Sequence, residues 1–290
     1  MSTFIVLGLF QGAVYGLLAI GIVLVYKATR VFNFAQGEFG GVAAFVAYFL
    51  LVNNGMSYPV AIVGGLAAAV AVGLGVERFI VRPLEDSSRI IMLVALVGVA
   101  LLIVALTVFI AEPLPRVLPP IVDGEGFTLF EAGIMSQQIM LLAILLLLAP
   151  VLALFFSKTD VGLAVLATSQ NKQAARVVGI NPVMISRLVW GVAALLGGIA
   201  GLLYAPVGVM TPGFMTLTML VPAFAAAVLG GMTSLPGAFI GGIAIGIAQN
   251  VGIYIFGQQM ALPGAAELTV FLLLMLVLLI RPQGLLGKAA

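Results

Sequence analysis

The sequence predicts an all-α protein: a polytopic integral membrane bundle of about 8–10 transmembrane helices, some of them broken or re-entrant. Three observations carry that prediction. Hydrophobic residues make up 63% of the 290-residue chain and charged residues only 8%, too little polar surface to clothe a water-soluble globule. The apolar runs approach or exceed the roughly 20 residues that a helix needs to cross the hydrocarbon core. Segments of about ten residues with alternating polarity, the mark of a membrane β-barrel, do not occur.

Taken in order, nine apolar segments fall at 3–26, 39–52, 59–80, 90–111, 136–156, 188–205, 217–232, 236–256 and 268–280. The first has no basic residue ahead of it and no convincing cleavage region, so a removable signal peptide is not expected. Threading the nine segments back and forth gathers Lys27, Arg30, Arg78, Arg82, Arg89, Lys158, Lys172, Arg176, Arg187, Arg281 and Lys288 on one side; Arg116 alone of the twelve basic residues falls on the other. Glu112, Asp123, Glu125, Glu131 and Glu267 accompany Arg116. Basic loops stay in the cytoplasm, so the N-terminus is expected outside and the C-terminus inside.

Segments 39–52 and 217–232 are short and occupy comparable places in the two halves. The first follows FNFAQGE and the second leads into GGMTSLPGAFIGG. Paired short or Gly/Pro-interrupted segments in a transporter point to broken helices whose ends face the translocation pathway. Asn33, Gln36, Gly37 and Glu38 are candidates at one such end, and Thr233 and Ser234 at the other, where either can cap a helix starting near Pro236. Unpaired N–H groups at a helix start suit the carboxylate of an amino acid. Ordinary glycine turns between full spans are the alternative, and Glu38 has a further one, pairing with Arg30 or Lys27 at the cytoplasmic interface. Glycines at helical spacing (8, 12 and 16; 37 and 41; 197 and 201; 237 and 241; 242 and 246) predict close helix crossings without indicating a substrate.

The stretch 158–187 is the one sizeable polar island on the basic side. Within it, 169–178 reads as a short amphipathic helix, with Thr168 or Ser169 at its start, Gly179 at its end and Asn181-Pro182 preventing continuation. Lys172 and Arg176 lie four apart on one face; Ala174, Val177 and Val178 lie on another. Such a helix can dock on a soluble partner and pass a push into the membrane, or it can be a plain surface connection.

Several chemistries are excluded. Without Cys or His the chain offers no disulfide, thiol nucleophile, imidazole base or His/Cys metal site, and it shows no inward cluster of carboxylates for a membrane enzyme. A net charge of +2 gives no reason to expect nucleic acid. None of Lys27, Lys158, Lys172 and Lys288 sits in a Gly-x-x-x-x-Gly-Lys context followed by Ser or Thr, so no nucleotide-binding loop is present. The spans hold almost no ionisable groups of the kind that an ion-coupled carrier uses. Uphill transport would therefore draw its energy from another polypeptide.

Four blocks carry a resemblance: FNFAQGEFGGVAAF, TSQNKQAARVVGINP with the following GGIAGLLYAP, VLGGMTSLPGAFIGGIAIG, and RPQGLLG. In this order they resemble the blocks of branched-chain amino-acid ABC transporter permeases, and the first is closer to the shorter, LivH-type subunit than to its larger partner. The resemblance implies one permease domain over 1–290 in a bacterial or archaeal inner membrane. It also implies three kinds of partner in the lipid bilayer's two compartments and plane: cytoplasmic ATP-binding subunits that use the ATP, a second permease, and an extracytoplasmic solute-binding protein. No cofactor is expected on this chain. The 158–187 loop would couple to the ATPase through Ser169, Asn171, Lys172, Gln173, Arg176 and Gly179, although Leu166, Asn171 and Gln173 stand where an arginine and acidic residues are common in the family. Urea or short amides are alternative cargoes, and a stand-alone carrier or channel is the alternative mechanism.

Overall fold

The structure is a computed structural model and describes residues 1–122, 126–129, 132–281 and 283–286. Asp123, Glu125, Glu131 and Lys288, used above to mark sides, lie outside the described residues. The bundle is built around α1 (Ser2–Thr29), which is buried on every face from Gly12 to Val25. A helix that is apolar all round belongs in an interior. Its neighbours are α8 (Pro182–Tyr204), α9 (Val221–Gly230), α5 (Ser136–Lys158) and, along most of its length, α10 (Leu235–Gly252).

The glycine spacing in the sequence is explained by the α1–α10 crossing. A Cβ on Gly12 would lie 2.7 Å from the Gly242 carbonyl oxygen and 2.9 Å from Ile243 Cα; one on Gly246 would collide with the backbone of Gly12. Backbone thus meets backbone at the centre of the bundle, where apolar side chains would gain nothing over lipid. Gly201 meets Gly40 in the same way, joining α8 to α2 (Gln36–Tyr48).

The outer helices are lipid-like in pattern. In α4 (Arg89–Ala111) only Met92, Leu96, Ala100 and Ile103 are buried, one stripe at helical spacing, and the rest of the helix shows apolar side chains outward. A short hairpin, β1 (Phe127–Leu129) antiparallel to β2 (Ala132–Ile134), precedes α5.

Of the nine apolar segments, six form helices long and apolar enough to cross a membrane. They are α1, α3 (Tyr58–Val76), α4, α5, α8 and α10; α3 and α10 are extended by π turns at Glu77–Val81 and Ile253–Gln259. The remaining three are short: α2, α9 and α11 (Ala265–Ile280). Two of these shortened helices adjoin wider π turns, Phe49–Asn53 after α2 and Met215–Leu220 before α9. The expectation that segments 39–52 and 217–232 depart from plain spans is met in this form, since single π turns recur where a helix is locally unwound. The RPQGLLG block has a packing role: Leu285 N donates to Leu229 O at 2.7 Å and Leu286 N to Gly230 O at 3.2 Å, pinning the C-terminal segment on the end of α9.

Basic residues gather at one end of the bundle. The C-terminal turn of α1, the α3–α4 corner, α6 (Asp160–Gln170), α7 (Lys172–Val177) and the start of α8 all border a cleft of about 60 Å³ there.

Candidate functional site

The first candidate stretch, residues 33–38, lies inside the bundle, well removed from its basic end. Gln36 Nε2 donates to Ala193 O at 2.8 Å and packs against Gly21. At about 1.5 Å rise per residue, these positions are about 12–16 Å from the ends of α1 and α8 that reach the basic side. The chain returns from Arg30 to this depth through a turn held by Asn33, whose Oδ1 accepts from Ala35 N at 3.1 Å and whose Nδ2 donates to Gln36 Oε1 at 3.0 Å. So α2 begins midway through the bundle, and its unpaired end is organised by side chains of its own chain.

Glu38 is 1% exposed and sits in the first turn of α2, where a negative group is favoured by the helix dipole. Its neighbour is Thr216, on the π turn before α9. A Cβ on Gly37 would lie 2.7 Å from Thr216 Oγ1, so Gly37 is what lets that turn approach. Glu38 Oε1 and Thr216 Oγ1 are both buried, and neither completes a hydrogen bond of ordinary geometry. The interfacial pairing of Glu38 with Arg30 is not formed; the Arg30 guanidinium stands over the Tyr26 ring, 5.7 Å from its centre. A carboxyl group of this chain already occupies the start of α2, which disfavours a ligand carboxylate at the same place.

Thr233 and Ser234 do not join that group. Ser234 Oγ accepts from Gly237 N at 3.1 Å and caps α10, as its position before Pro236 led one to expect. Thr233 shares its turn, which follows Gly231 at φ 94° and lies against the C-terminal segment through Gly284. The two stretches are thus separate structural features, one packed on α8 and the other on α9.

The 158–187 loop differs in its detail from the single helix expected there. The helix expected over 169–178 is divided at Asn171. Thr168 and Ser169 do not cap it; they finish α6, donating to Ala164 O at 2.7 Å and Leu166 O at 2.7 Å. Asn171 is the cap of α7, its Oδ1 accepting from Gln173 N at 2.9 Å and Ala174 N at 3.0 Å. An amide side chain that competes with the backbone in mid-helix suits a break between two helices. Gly179, at φ 84°, closes the end, and Ile180 N donates to Ala175 O at 2.9 Å. Asn171→Ala should destabilise α7 by about 1 kcal/mol. Hydrogen exchange of the 173–178 amides would then rise roughly fivefold with exchange elsewhere unchanged.

The two faces of α7 are also turned differently from a simple basic docking surface. Lys172 pairs with Glu85 of the α3–α4 corner, and Lys172 and Arg176 border the cleft formed with Glu77, Arg82 and Glu85. The apolar pair points away: Val177 is 87% exposed and Val178 73%. Gln173 is exposed beside them. Because the Lys172–Glu85 pair is solvent-exposed, Lys172→Ala should change stability by less than about 1 kcal/mol in thermal unfolding.

Several buried polar groups lie outside the sites expected from the sequence. Glu77 is 2% exposed and pairs with Arg82 at 2.6 Å where α3 unwinds. Tyr15 Oη donates to Gln249 Oε1 at 2.7 Å, and Asn250 Nδ2 donates to Gln11 Oε1 at 2.9 Å. The available signal was two amide residues, Gln249 and Asn250, adjacent within a span whose other polar content is low.

Comparison with known proteins adds the following. The family model described as branched-chain amino acid transport system / permease component matches residues 4–280. The high-affinity branched-chain amino acid transport system permease protein BraD of Pseudomonas aeruginosa is 33% identical over 294 residues, covering 97% of this chain and 94% of the relative. The corresponding permease protein LivH of Escherichia coli is 30% identical over 296 residues, with the same two coverages of 97% and 94%. Among solved structures, PsaBC from Streptococcus pneumoniae in complex with Fab aligns with a TM-score of 0.50 at 16% identity, covering 97% of this chain and 92% of that one, a likeness of fold.

Proposed function

The chain belongs to the branched-chain amino acid transport permease family, and from that premise we propose that it is the membrane subunit of an ABC importer for leucine, isoleucine, valine or a related hydrophobic amino acid. It is a transport subunit and not an enzyme. On this reading the N-terminus lies outside and the basic end faces the cytoplasm of a bacterial or archaeal cell. Two ATP-binding subunits dock there and bind the ATP, a second permease completes the pathway, and a solute-binding protein delivers cargo from outside. This chain holds no cofactor of its own.

The observation that carries the reading is α7. It is a short helix fixed at both ends, tied to the α3–α4 corner, and it offers two valines to solvent at the basic end. A rigid tie on one face with an unpartnered apolar pair on the other suits a helix that receives a push from a soluble subunit and transmits it to α3, α4 and α8. The partner's different affinity for the two permease states would drive the switch. Asn171 and Gly179 hold the helix, Ser169 finishes the helix before it, and Gln173, Val177 and Val178 form the contact; Lys172 acts through Glu85, with Arg176 at the edge.

Co-purification of the tagged chain, expressed with its native gene neighbourhood, tests this. Recovery of ATP-binding subunits and a sister permease, with ATP hydrolysis stimulated by the solute-binding protein loaded with leucine, isoleucine or valine, is the expected result. Recovery of the chain alone, active in downhill flow, would contradict it.

A further inference from the structure

At the end of the bundle away from the basic loops, α1, α5, α10 and the C-terminal end of α8 enclose a cavity of about 220 Å³. A cavity of roughly 150 Å³ holds a molecule the size of benzene, so this one has room for a small solute. Four polar side chains from four different helices converge on it: Gln11, Gln138, Tyr204 and Asn250. Its remaining lining is apolar, with Phe10 deep within and Val207, 37% exposed, on the rim. Among the described residues, no charged side chain borders it.

These groups are held rigidly by bonds that leave their other atoms unused. Asn250 Nδ2 is committed to Gln11 Oε1 at 2.9 Å and to Gly246 O at 3.0 Å, and Gln138 Oε1 accepts from Met135 N at 3.0 Å. Behind them Tyr15 and Gln249 are joined at 2.7 Å, and the Tyr204 ring stacks on Phe214. Among the described residues, no hydrogen bond is made by Tyr204 Oη, Asn250 Oδ1 or Gln138 Nε2. Polar groups within spans are costly and mark solute pathways when they are gathered on one cavity. Two acceptors, Asn250 Oδ1 and Tyr204 Oη, and one amide donor, Gln138 Nε2, set without formal charge beside an apolar wall, match a solute that is neutral overall, polar at one end and apolar at the other.

We infer that this cavity is a binding site for a zwitterionic amino acid with an apolar side chain, its ammonium on Asn250 Oδ1 and Tyr204 Oη, its carboxylate on Gln138 Nε2, and its side chain against Phe10 and Leu7. The identity of the solute rests on the function proposed above; the cavity and its chemistry do not. The site is distinct from the 33–38 stretch, which lies deeper and is already filled by its own side chains.

Because the chain has no cysteine, Val207→Cys gives a single reporter on the cavity rim. The assembled importer carrying this change is labelled from outside with a membrane-impermeant maleimide, with and without free leucine, and ATP-driven leucine uptake is measured on the same sample. Leucine should slow labelling about fivefold or more, and should not slow labelling of Met56→Cys, an exposed position in the α2–α3 connection that does not border the cavity. Adding Tyr204→Phe and Gln138→Leu should abolish the protection and raise the leucine concentration for half-maximal uptake about tenfold. The protection measurement on the otherwise natural chain stands even where that triple variant fails to assemble. Normal uptake without protection would overturn the site while leaving the proposed function intact; protection without uptake would keep the site and remove the function. Absence of both would overturn the two together.

Discussion

Gly246→Val is expected to lower the melting temperature of the purified permease by about 6–12 °C, the shift that corresponds to about 3 kcal/mol. The reason is geometric. A Cβ at this position meets Gly12 Cα and N and Gly8 O, all backbone atoms of the central helix, and backbone atoms cannot rotate aside as a flexible side chain can. α1 and α10 would have to separate, and the separation would spread, because α1 is packed on all sides. Valine at Gly75, where an added Cβ meets nothing within 4 Å, provides the control and should leave the melting temperature nearly unchanged. Equal effects at the two positions would show that the crossing is not held as described.

The second large effect concerns transmission. Val177→Asp with Val178→Asp is expected to reduce cargo-stimulated ATP hydrolysis more than about tenfold while leaving the melting temperature within about 2 °C of the parent. Both side chains are exposed in the isolated permease, so replacing them removes little internal packing. On a docked ATP-binding subunit the same two side chains would be buried, and each aspartate would forfeit about 1.5 kcal/mol of apolar burial and add an unpaired charge. Loss of stimulation with loss of thermal stability would assign the valines to folding; unchanged stimulation would remove α7 from the interface.

The sequence revealed the periodic and chemical features of this molecule and hid those that depend on pairing at a distance. Apolar runs located the nine apolar segments, six of which form helices long enough to cross a membrane, because lipid imposes a length rule on each segment independently. The shortness of 39–52 and 217–232 exposed the irregular helices, though not that α2 starts midway through the bundle, which follows from the return of 30–35 along α1. Gly12 and Gly246 each carried a spacing signal; that they face each other is a tertiary fact. In the 158–187 loop, Asn171 reads equally as an interior or a cap residue, and only the hydrogen bonds it accepts from Gln173 and Ala174 decide for the cap. Lys172 could not be assigned to Glu85, 87 residues away in sequence, by any local rule. The surroundings of Glu38 are hidden for the same reason. Its sequence neighbour Arg30 suggests an ion pair, whereas the fold sets Arg30 over Tyr26 and carries Glu38 inward to Thr216.

These features bear on how a push at the basic end could reach the pathway. α7 is tied to the α3–α4 corner, α3 unwinds there at the Glu77–Val81 π turn and packs along its length on α2, and α2 in turn carries Glu38 and meets the Met215–Leu220 π turn. Wider turns at 77–81 and 215–220 are places where helices can re-register at low cost, so the irregular helices lie along the route from α7 to α2.

On the proposed function, this chain moves an amino acid only when driven by separate ATP-binding subunits. Leucine uptake into proteoliposomes tests it most directly, with the assembled importer and its binding protein, ATP supplied on the side of the ATP-binding subunits, and the same chain reconstituted alone as the comparison. Concentrative uptake by the assembly that stops when ATP is withheld, with none by the chain alone, is the predicted result. Uptake by the chain alone, driven by an ion gradient or simply downhill, would contradict it.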